Sequence, residues 1–525
     1  MIELYDATLR DGMQGEGMSL TAEEKVRVAH ALDDLGIGLI EAGFPASNPK
    51  ELELFDLLRH ERLHTAEIVA FGMTRRRGVA AADDEGLQTL AACFSAVCTI
   101  VGKTWGLHLE KVVRVSRVEN LAMIAESVGF LAAREKRVIY DAEHFFDGFR
   151  DDPGYALECL RAAVAGGAER VVLCDTNGSS LPHQIADAVR VVRDAVEVPL
   201  GIHCHNDLEC GVANSLAAVA EGATQVQGTM NGVGERTGNA NLVSIIAALQ
   251  LKLGLEVLPP DRLARLTSTA HFVAEVLNLV PDPNQPWVGR NAFAHKGGLH
   301  VAGVRADAST FEHAVPESVG NARALLVSEL AGRQTASEKA RSAGIELDDA
   351  GAVRVIERVK ALEHRGYQFE AADASFELLM RREAGEYEPL FRLESWRTIV
   401  EQGADGRVAC EATIKIWVDP PRVEHPRRIV QTAEGNGPVN ALDAALRLAI
   451  GSIHPHLNDI ELVNYKVRIL DEAHGTSATT RVLLDSSDGE RTWGTIGVAE
   501  NVIAASWQAL VESLEYAEQP ARVRT

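Results

Sequence analysis

Positive charge is scarce in this chain. Against 75 Asp and Glu stand 52 Lys and Arg, a formal net charge of -23, which disfavours a nucleic-acid partner or an anionic membrane surface because both demand a basic face. An anionic substrate must then meet a local cluster of cations. The seven cysteines, Cys93, Cys98, Cys159, Cys174, Cys204, Cys210 and Cys410, are odd in number and contain no C-x-x-C pair, so neither a disulfide framework nor a zinc ribbon is indicated and a reducing cytoplasm is the expected setting. No apolar run is long enough to cross a bilayer. The chain starts directly in Ile2-Glu3-Leu4-Tyr5 without a basic and apolar leader, so a protein neither secreted nor membrane-bound is expected. A Walker phosphate loop is missing, and the glycine-rich stretch Gly232 to Asn239 lacks the spacing of a dinucleotide fingerprint.

What is there is 525 residues, 46% of them hydrophobic, material for two or three domains. Up to about residue 258, short apolar runs alternate with segments of helical period, the signature of βα units on a parallel sheet. Candidate strands lie at Ile2 to Tyr5, Gly38 to Ala42, Glu67 to Phe71, Ser95 to Val101, Val138 to Tyr140, Arg170 to Leu173, Leu200 to His203 and Thr224 to Gly228. Helices are predicted at Ala22 to Leu35, Tyr155 to Ala165, Pro182 to Ala195 and Leu208 to Glu221. Eight units in this length predict a (β/α)8 (TIM) barrel, whose active site is built at the C-terminal ends of the strands. Ionisable and polar residues crowd that rim: Arg10 and Asp11 after the first strand, Glu41 after the second, Glu143 and His144 after the fifth, Asp175 and Thr176 after the sixth, His203 and His205 after the seventh, and Asn231, Glu235 and Asn239 after the eighth.

His203-Cys204-His205-Asn206-Asp207 carries the sharpest chemistry. Side chains two apart on a strand share a side, so both imidazoles can address one metal ion while Cys204 faces away. Asp11, in Arg10-Asp11-Gly12-Met13-Gln14, would add a hard oxygen. Two imidazoles and a carboxylate suit a catalytic divalent metal with open positions rather than a closed structural site. Each motif alone also fits a bland reading, a decorated strand and an Asp-Gly turn; their common place on one barrel rim favours the metal.

Beyond the barrel, Pro259-Pro260 and Val280-Pro281-Asp282-Pro283-Asn284-Gln285-Pro286 break the pattern, and residues 259–388 are expected to form helical linker subdomains. Ala294-His295-Lys296-Gly297-Gly298-Leu299-His300 places two imidazoles and an ammonium beside glycines, a surface loop on its own terms. From about residue 389 strand alternation takes over, as in Ala412 to Val418, followed by Gly435-Asn436-Gly437-Pro438 and a helical run Val439 to Ile450. Tyr465 to Leu470, Thr480 to Leu484 and Trp493 to Gly497 then lead into a final helix, Asn501 to Tyr516. This repetition of strands followed by a helix predicts a small pseudo-symmetric α+β domain over 389–525, a kind of module that binds a small ligand or a second subunit.

Thr8-Leu9-Arg10-Asp11-Gly12-Met13-Gln14, His203-Cys204-His205-Asn206-Asp207 and Gly232-Val233-Gly234-Glu235-Arg236-Thr237-Gly238-Asn239-Ala240 together resemble the acyl-CoA condensing barrels typified by 2-isopropylmalate, homocitrate and citramalate synthases. The resemblance covers nearly the whole chain, and the C-terminal part is similar to the regulatory domain of that family, with Gly435-Asn436-Gly437-Pro438-Val439 at its first helix start. Tyr140 to Phe149 and Ala499 to Leu510 resemble most the citramalate synthase branch.

The resemblance implies a Claisen-type condensation of acetyl-CoA with pyruvate, then thioester hydrolysis, at a divalent metal, Mg2+ or Mn2+ before Zn2+. It implies Asp11, His203, His205 and Asn239 as metal ligands, Arg10 as the group facing the developing keto-oxygen charge, and Thr176 as a hydrogen-bond partner of the keto acid carboxylate. Thr176 read by itself is a helix N-cap after strand six. Glu143 is implied as an active-site carboxylate, either an orienting partner or a proton carrier, and Gln14 and Glu41 as groups that orient ligands or substrate. His300 matches a histidine lent by the neighbouring subunit, hence an obligatory homodimer. The base that forms the acetyl enolate is left unnamed, and CoA is expected against barrel loops. Isoleucine, alternatively leucine, is the implied effector.

Rival readings are 2-isopropylmalate synthase, with 2-oxoisovalerate as acceptor; a retro-reaction lyase of the HMG-CoA lyase type, disfavoured because no cysteine lies between Cys210 and Cys410; and a non-catalytic amino-acid sensor, disfavoured because every ligand type is present.

Overall fold

The structure is a computed structural model and describes residues 2–259, 261–295, 298–325, 333–369, 372–420, 423–451, 453–470, 478–489 and 491–519. Within it, eight parallel strands close into a barrel in sequence order: β1 (Glu3–Asp6), β2 (Leu39–Gly43), β3 (Glu67–Met73), β4 (Val97–Lys103), β5 (Arg137–Glu143), β6 (Arg170–Asp175), β7 (Leu200–Cys204) and β8 (Gln225–Gly228). The ring is sealed by β1 against β8, with Tyr5 opposite Gln227. The predicted barrel is therefore found. Several strands run further toward their C-terminal ends than their apolar stretches suggest, because Lys103, Asp141, Glu143 and Asp175 still belong to the ladder. Glu41, Glu143 and Asp175, expected after their strands, lie within them.

The inward phase explains the polarity of the mouth. Tyr5, Leu39, Val69, Val97, Ile139 and Val172 form a buried apolar cluster. Two residues further on, the same side of the strands presents Glu41, Phe71, Thr99, Asp141 and Cys174, and β7 and β8 contribute His203 and Gln227 in that phase. Helices cover the outside. Ala22–Leu35 starts with a capping box in which the Thr21 side chain accepts from Glu24 N–H and the Glu24 side chain accepts from Thr21 N–H, and it ends at Gly36 with φ 102°, a conformation suited to glycine. Val28, Ala29, Leu32 and Leu35 on its inner face are buried in the large core around the barrel.

The chain divides into two compact units, Met1–Phe293 with Glu312–Ala324, and Ala294–Phe311 with Leu325–Thr525. Of the segment 259–388, helix Leu266–Val276 lies in the first unit, whereas Gly298–Ala306, Asp349–His364 and Asp373–Ala384 lie in the second. Lys296 and Gly297 of the glycine-bearing stretch lie outside the described residues.

The second unit contains the repeated motif. Strands Arg392–Gln402, Val408–Val418 and Arg427–Gly435 form one antiparallel sheet, followed by helix Pro438–Ile450. Strands Glu461–Ile469, Thr480–Ser487 and Thr492–Ala499 form another, followed by helix Val502–Ala517. Alternation buries Cys410, Ala412, Ile414, Ile416 and Val418 against Leu442, Leu446 and Ala449 of the first helix. Several side chains on these sheets stay exposed, among them Val400, Val463 and Ile469.

Candidate active site

β7 delivers His203 within the strand and His205 one residue past its end, where His205 forms an isolated bridge with Asn239. Cys204 points the other way into the core, fully buried. The β1 loop folds back so that Asp11 meets this pair: Asp11 Oδ2 lies 3.4 Å from His203 Nε2, and ligand atoms of Asp11, His203 and His205 all fall within 4.8 Å of one another, with all three residues buried. Burial opposes charge on Asp11, but Arg10 and His203 outweigh it and hold the carboxyl well below the usual range. His203 is depressed by burial yet raised overall by its contact with Asp11. His205 is pushed down to about 4 by burial and by the neighbouring His203.

Behind the cluster runs a chain that the sequence did not single out. His203 Nδ1 is 3.0 Å from Gln227 Oε1, and Gln227 Nε2 donates to Asp141 Oδ1 at 3.1 Å. An amide oxygen only accepts, so His203 carries a proton on Nδ1, which leaves Nε2, on the side of Asp11, as the nitrogen that would address a metal. Such an outer partner fixes the tautomer of a metal ligand. Burial raises the Asp141 carboxyl to about 7. The signal was available: Gln225-x-Gln227 in an otherwise apolar strand puts amides in the inward phase.

Arg10 is pinned. Its Nε donates to Glu41 Oε2 at 2.7 Å, Nη1 lies 3.1 Å from Asp11 Oδ2, and its guanidinium stands 4.0 Å over the Phe71 ring. Glu41 is wholly buried and also accepts from Tyr5 OH at 2.7 Å, so its partners are Arg10 and Tyr5. Burial works against the Arg10 charge, but Glu41 and Asp11 raise its pKa above the ordinary value. A permanently charged guanidinium is thereby fixed beside the cluster.

Gln14 is an exposed residue that lines the same cavity of about 540 Å³ as Arg10, Asp11, His203 and His205. Glu143 and Thr176 line it as well. Glu143 forms an ion pair with Lys103, its neighbour across the β4–β5 ladder; Lys103 was not foreseen, although it ends a strand on the same rim. Thr176 is not an N-cap: Leu181 holds that position for helix Pro182–Ala195, and Thr176 Oγ1 accepts from the His144 backbone N–H at 2.9 Å. His144 itself adopts φ 56°. Asn231, also on the rim, donates to Ala270 O and accepts from Gln285, a structural role.

The glycine-rich loop closes over His205. Arg236 grips Asp207 through two bonds of 2.8 Å and donates to Thr176 O. A side chain at Gly238 would lie 1.9 Å from Gly232 O, and one at Gly234 would lie 2.2 Å from Asn239 Nδ2, so these glycines let the loop pack down onto Asn239. His300 sits in the second unit on helix Gly298–Ala306, exposed and stacked on Phe311 with ring centroids 4.3 Å apart; it is not among the residues lining the barrel cavity.

Asp11 Oδ1, His205 Nδ1 and Asn239 Oδ1 are buried polar atoms with no hydrogen-bond partner among the described residues. Unpaired buried acceptors are costly. Here a divalent cation would satisfy all three with ligands of suitable chemistry, so the residues fit a metal.

The sequence comparisons agree with this geometry. Residues 1–273 match the HMGL-like family, 287–367 the homocitrate synthase post-HMGL domain-like family, and 370–518 the LeuA allosteric (dimerisation) domain. The chain is 51% identical to an (R)-citramalate synthase of Streptomyces coelicolor, with 98% of this chain and 96% of that protein covered. It is 48% identical to an (R)-citramalate synthase of Geobacter sulfurreducens, covering 98% and 97%. The chain belongs to the citramalate synthase family. Other members of the wider group stand further off: a probable 2-isopropylmalate synthase of Methanopyrus kandleri is 34% identical, with 98% of this chain and 97% of that protein covered. For a citramalate synthase family member, the mouth described above combines a candidate metal cluster, a fixed cation and a cavity of substrate size.

Proposed function

We propose that this chain is an acyltransferase that condenses acetyl-CoA with pyruvate and hydrolyses the thioester to give (R)-citramalate and CoA. The Asp11–His203–His205 cluster in the barrel mouth carries the chemistry of this reading. Identity of 48–51% over 98% of the chain to (R)-citramalate synthases supports pyruvate as the acceptor.

Asp11, His203, His205 and Asn239 would hold a divalent metal, Mg2+ or Mn2+ before Zn2+, which would supply Lewis acidity toward the oxygens of the 2-keto acid. The chain's own groups do the rest. Arg10, held rigid by Glu41 and Phe71, faces the keto oxygen as it gains negative charge during attack, and preorganised charge of this kind needs no reorganisation in the transition state. The Thr176 hydroxyl donates to the keto acid carboxylate while its oxygen keeps the His144 N–H. Gln14 borders the substrate in the cavity. A base takes a methyl proton from acetyl-CoA, the resulting carbon bonds to C2 of pyruvate, the new alkoxide is protonated, and water then displaces CoA as the free thiol. Glu143, steadied by Lys103, serves the proton movements. His300 of a second copy completes the site; its exposure on a helix surface leaves it accessible to another subunit.

The working unit is a homodimer in the cytoplasm, joined through the C-terminal unit. Exposed apolar residues on its sheets, such as Val400 and Ile469, and the match to a dimerisation domain support this. Isoleucine is the effector, with leucine the alternative, and the reaction is the first step of a threonine-independent route to isoleucine. Isoleucine binding that survives truncation after about residue 385 would sink the regulatory part.

The deciding experiment offers metal-reconstituted protein acetyl-CoA with pyruvate, 2-oxoisovalerate or 2-oxoglutarate and follows thiol release and the acid formed. Preference for pyruvate is expected. The Methanopyrus relative keeps 2-isopropylmalate synthase as the second reading: its substrate has two more methyl groups, and pocket contacts discriminate a methylene by about 1–3 kcal/mol. Preference for 2-oxoisovalerate would select that reading, and thiol release with none of the three would reject both.

A further inference from the structure

The C-terminal unit holds another set of two imidazoles and a carboxylate. His454-Pro455-His456 opens the short helix Pro455–Asp459, with proline at its first position, and Glu518 caps the end of Val502–Ala517. Proline fixes the backbone between the two histidines. His454 Nδ1 lies 3.2 Å from Glu518 Oε1 and His456 Nε2 lies 2.8 Å from Oε2. Ligand atoms of the three residues fall within 4.8 Å of one another. The two rings are 6.1 Å apart and nearly perpendicular, at 81°, so they approach the carboxylate as separate ligands and not as a stack.

Electrostatics favours a cation at this point. Glu518 places its negative charge at a helix C-terminus, where the backbone carbonyls already carry the negative end of the helix dipole. The imidazoles stand beside that carboxylate as nitrogen ligands, and its charge together with that of the helix end calls for a positive counter-charge. A divalent ion would supply it. Metal–ligand bonds of about 2.0–2.2 Å set tetrahedral ligand atoms roughly 3.3–3.6 Å apart, and the contacts of 2.8 and 3.2 Å, made to the two oxygens of Glu518, lie near that spacing. Two nitrogens with one oxygen suit zinc or a similar borderline ion better than magnesium, which prefers oxygen donors.

We propose that His454, His456 and Glu518 form a second metal site, for Zn2+ or an ion of similar character, separate from the barrel cluster. His454 is largely buried and His456 is 58% exposed, so the site is anchored on one side and takes water as its further ligand on the other. Its role is mechanical: it fastens the segment leaving the first repeat's helix, Pro438–Ile450, to the end of the second repeat's helix.

The test uses the full-length protein, stripped with a chelator, equilibrated with Zn2+ and dialysed, with bound zinc counted per chain. His456→Ala and Glu518→Gln should each remove one equivalent, in the native background and equally in His203→Ala, which lacks a barrel ligand. Zinc should raise the melting temperature of His203→Ala and leave that of the His203→Ala/His456→Ala chain unchanged. The proposal is overturned if His456→Ala and Glu518→Gln bind as much zinc as their parents, or if zinc stabilises both chains equally. Because His456 is exposed, its substitution does not threaten folding. Thiol release in the pyruvate assay reads the barrel reaction separately.

Discussion

Among the described residues stand two groups of the same composition, two imidazoles and one carboxylate, in opposite settings. At the barrel mouth, Asp11, His203 and His205 are all buried, one imidazole is oriented by Gln227 and Asp141, and a guanidinium is fixed alongside. In the C-terminal unit, the imidazoles flank a proline and the carboxylate ends a helix, with His456 open to solvent. Identical ligand types thus suit different tasks. Burial excludes water and strengthens charge interactions where a reaction needs them, whereas the role proposed for the partly exposed cluster is to fasten one segment to another.

Mutation of the two clusters should separate them most widely. His203→Ala should lower kcat/KM for pyruvate by at least about a thousandfold, equivalent to roughly 4 kcal/mol of transition-state stabilisation, while His456→Ala should leave it within about twofold. Steady-state kinetics of both variants checks this, and comparable losses would erase the functional distinction.

The frame beneath the barrel cluster should respond to pH. Asp6 is fully buried and accepts from Thr8 N and Oγ1, and Thr8 Oγ1 accepts from Met230 N–H, which joins the loop carrying Asp11 to the glycine-rich loop. Burial raises Asp6 to about 7, against about 3.9 in an unfolded chain. A raised carboxyl contributes stability that is fully present below the unfolded pKa and is lost as pH rises through 7. Between pH 5 and 8 this loss is on the order of 3 kcal/mol. Urea unfolding of Asp6→Asn should show a correspondingly flatter pH dependence than the native chain, and parallel curves would refute the assignment.

Gln227→Met removes the acceptor for His203 Nδ1–H while nearly keeping side-chain volume. It should weaken metal binding at the barrel cluster by about 10- to 100-fold, and Gln227→Glu, which restores an acceptor, should recover part of the loss. Calorimetric titration of the stripped protein measures both. A Met variant with native affinity would make the buried cluster no better supported than the exposed one.

The sequence announced the barrel and the repeated C-terminal motif because apolar runs and helical periods are local signals. Helices Ala22–Leu35 and Pro182–Ala195 fall where their patterns place them. What the pattern hid was non-local. Asp141 and Gln227 look like interruptions in apolar strands, and only ring closure brings β5 and β8 across the same interior to bond. The pairing of Lys103 with Glu143 likewise depends on strand register. Arg427–Gly435 escaped notice because its charged, largely exposed residues dilute the alternation that marks a strand. For Thr176, N-cap propensity lost to a bond with the adjacent β5 loop.

The imidazoles owe their place to a count along β7, so the barrel ladder acts as a ruler for the chemistry. Deleting one residue early in β7 would turn every later side chain to the opposite side. Cys204 and Asn206 would then stand where His203 and His205 now stand, and the mouth would present a thiol and an amide in place of two imidazoles. Loops around this rim can change length without such loss; the strand cannot lose even one unit of its measure.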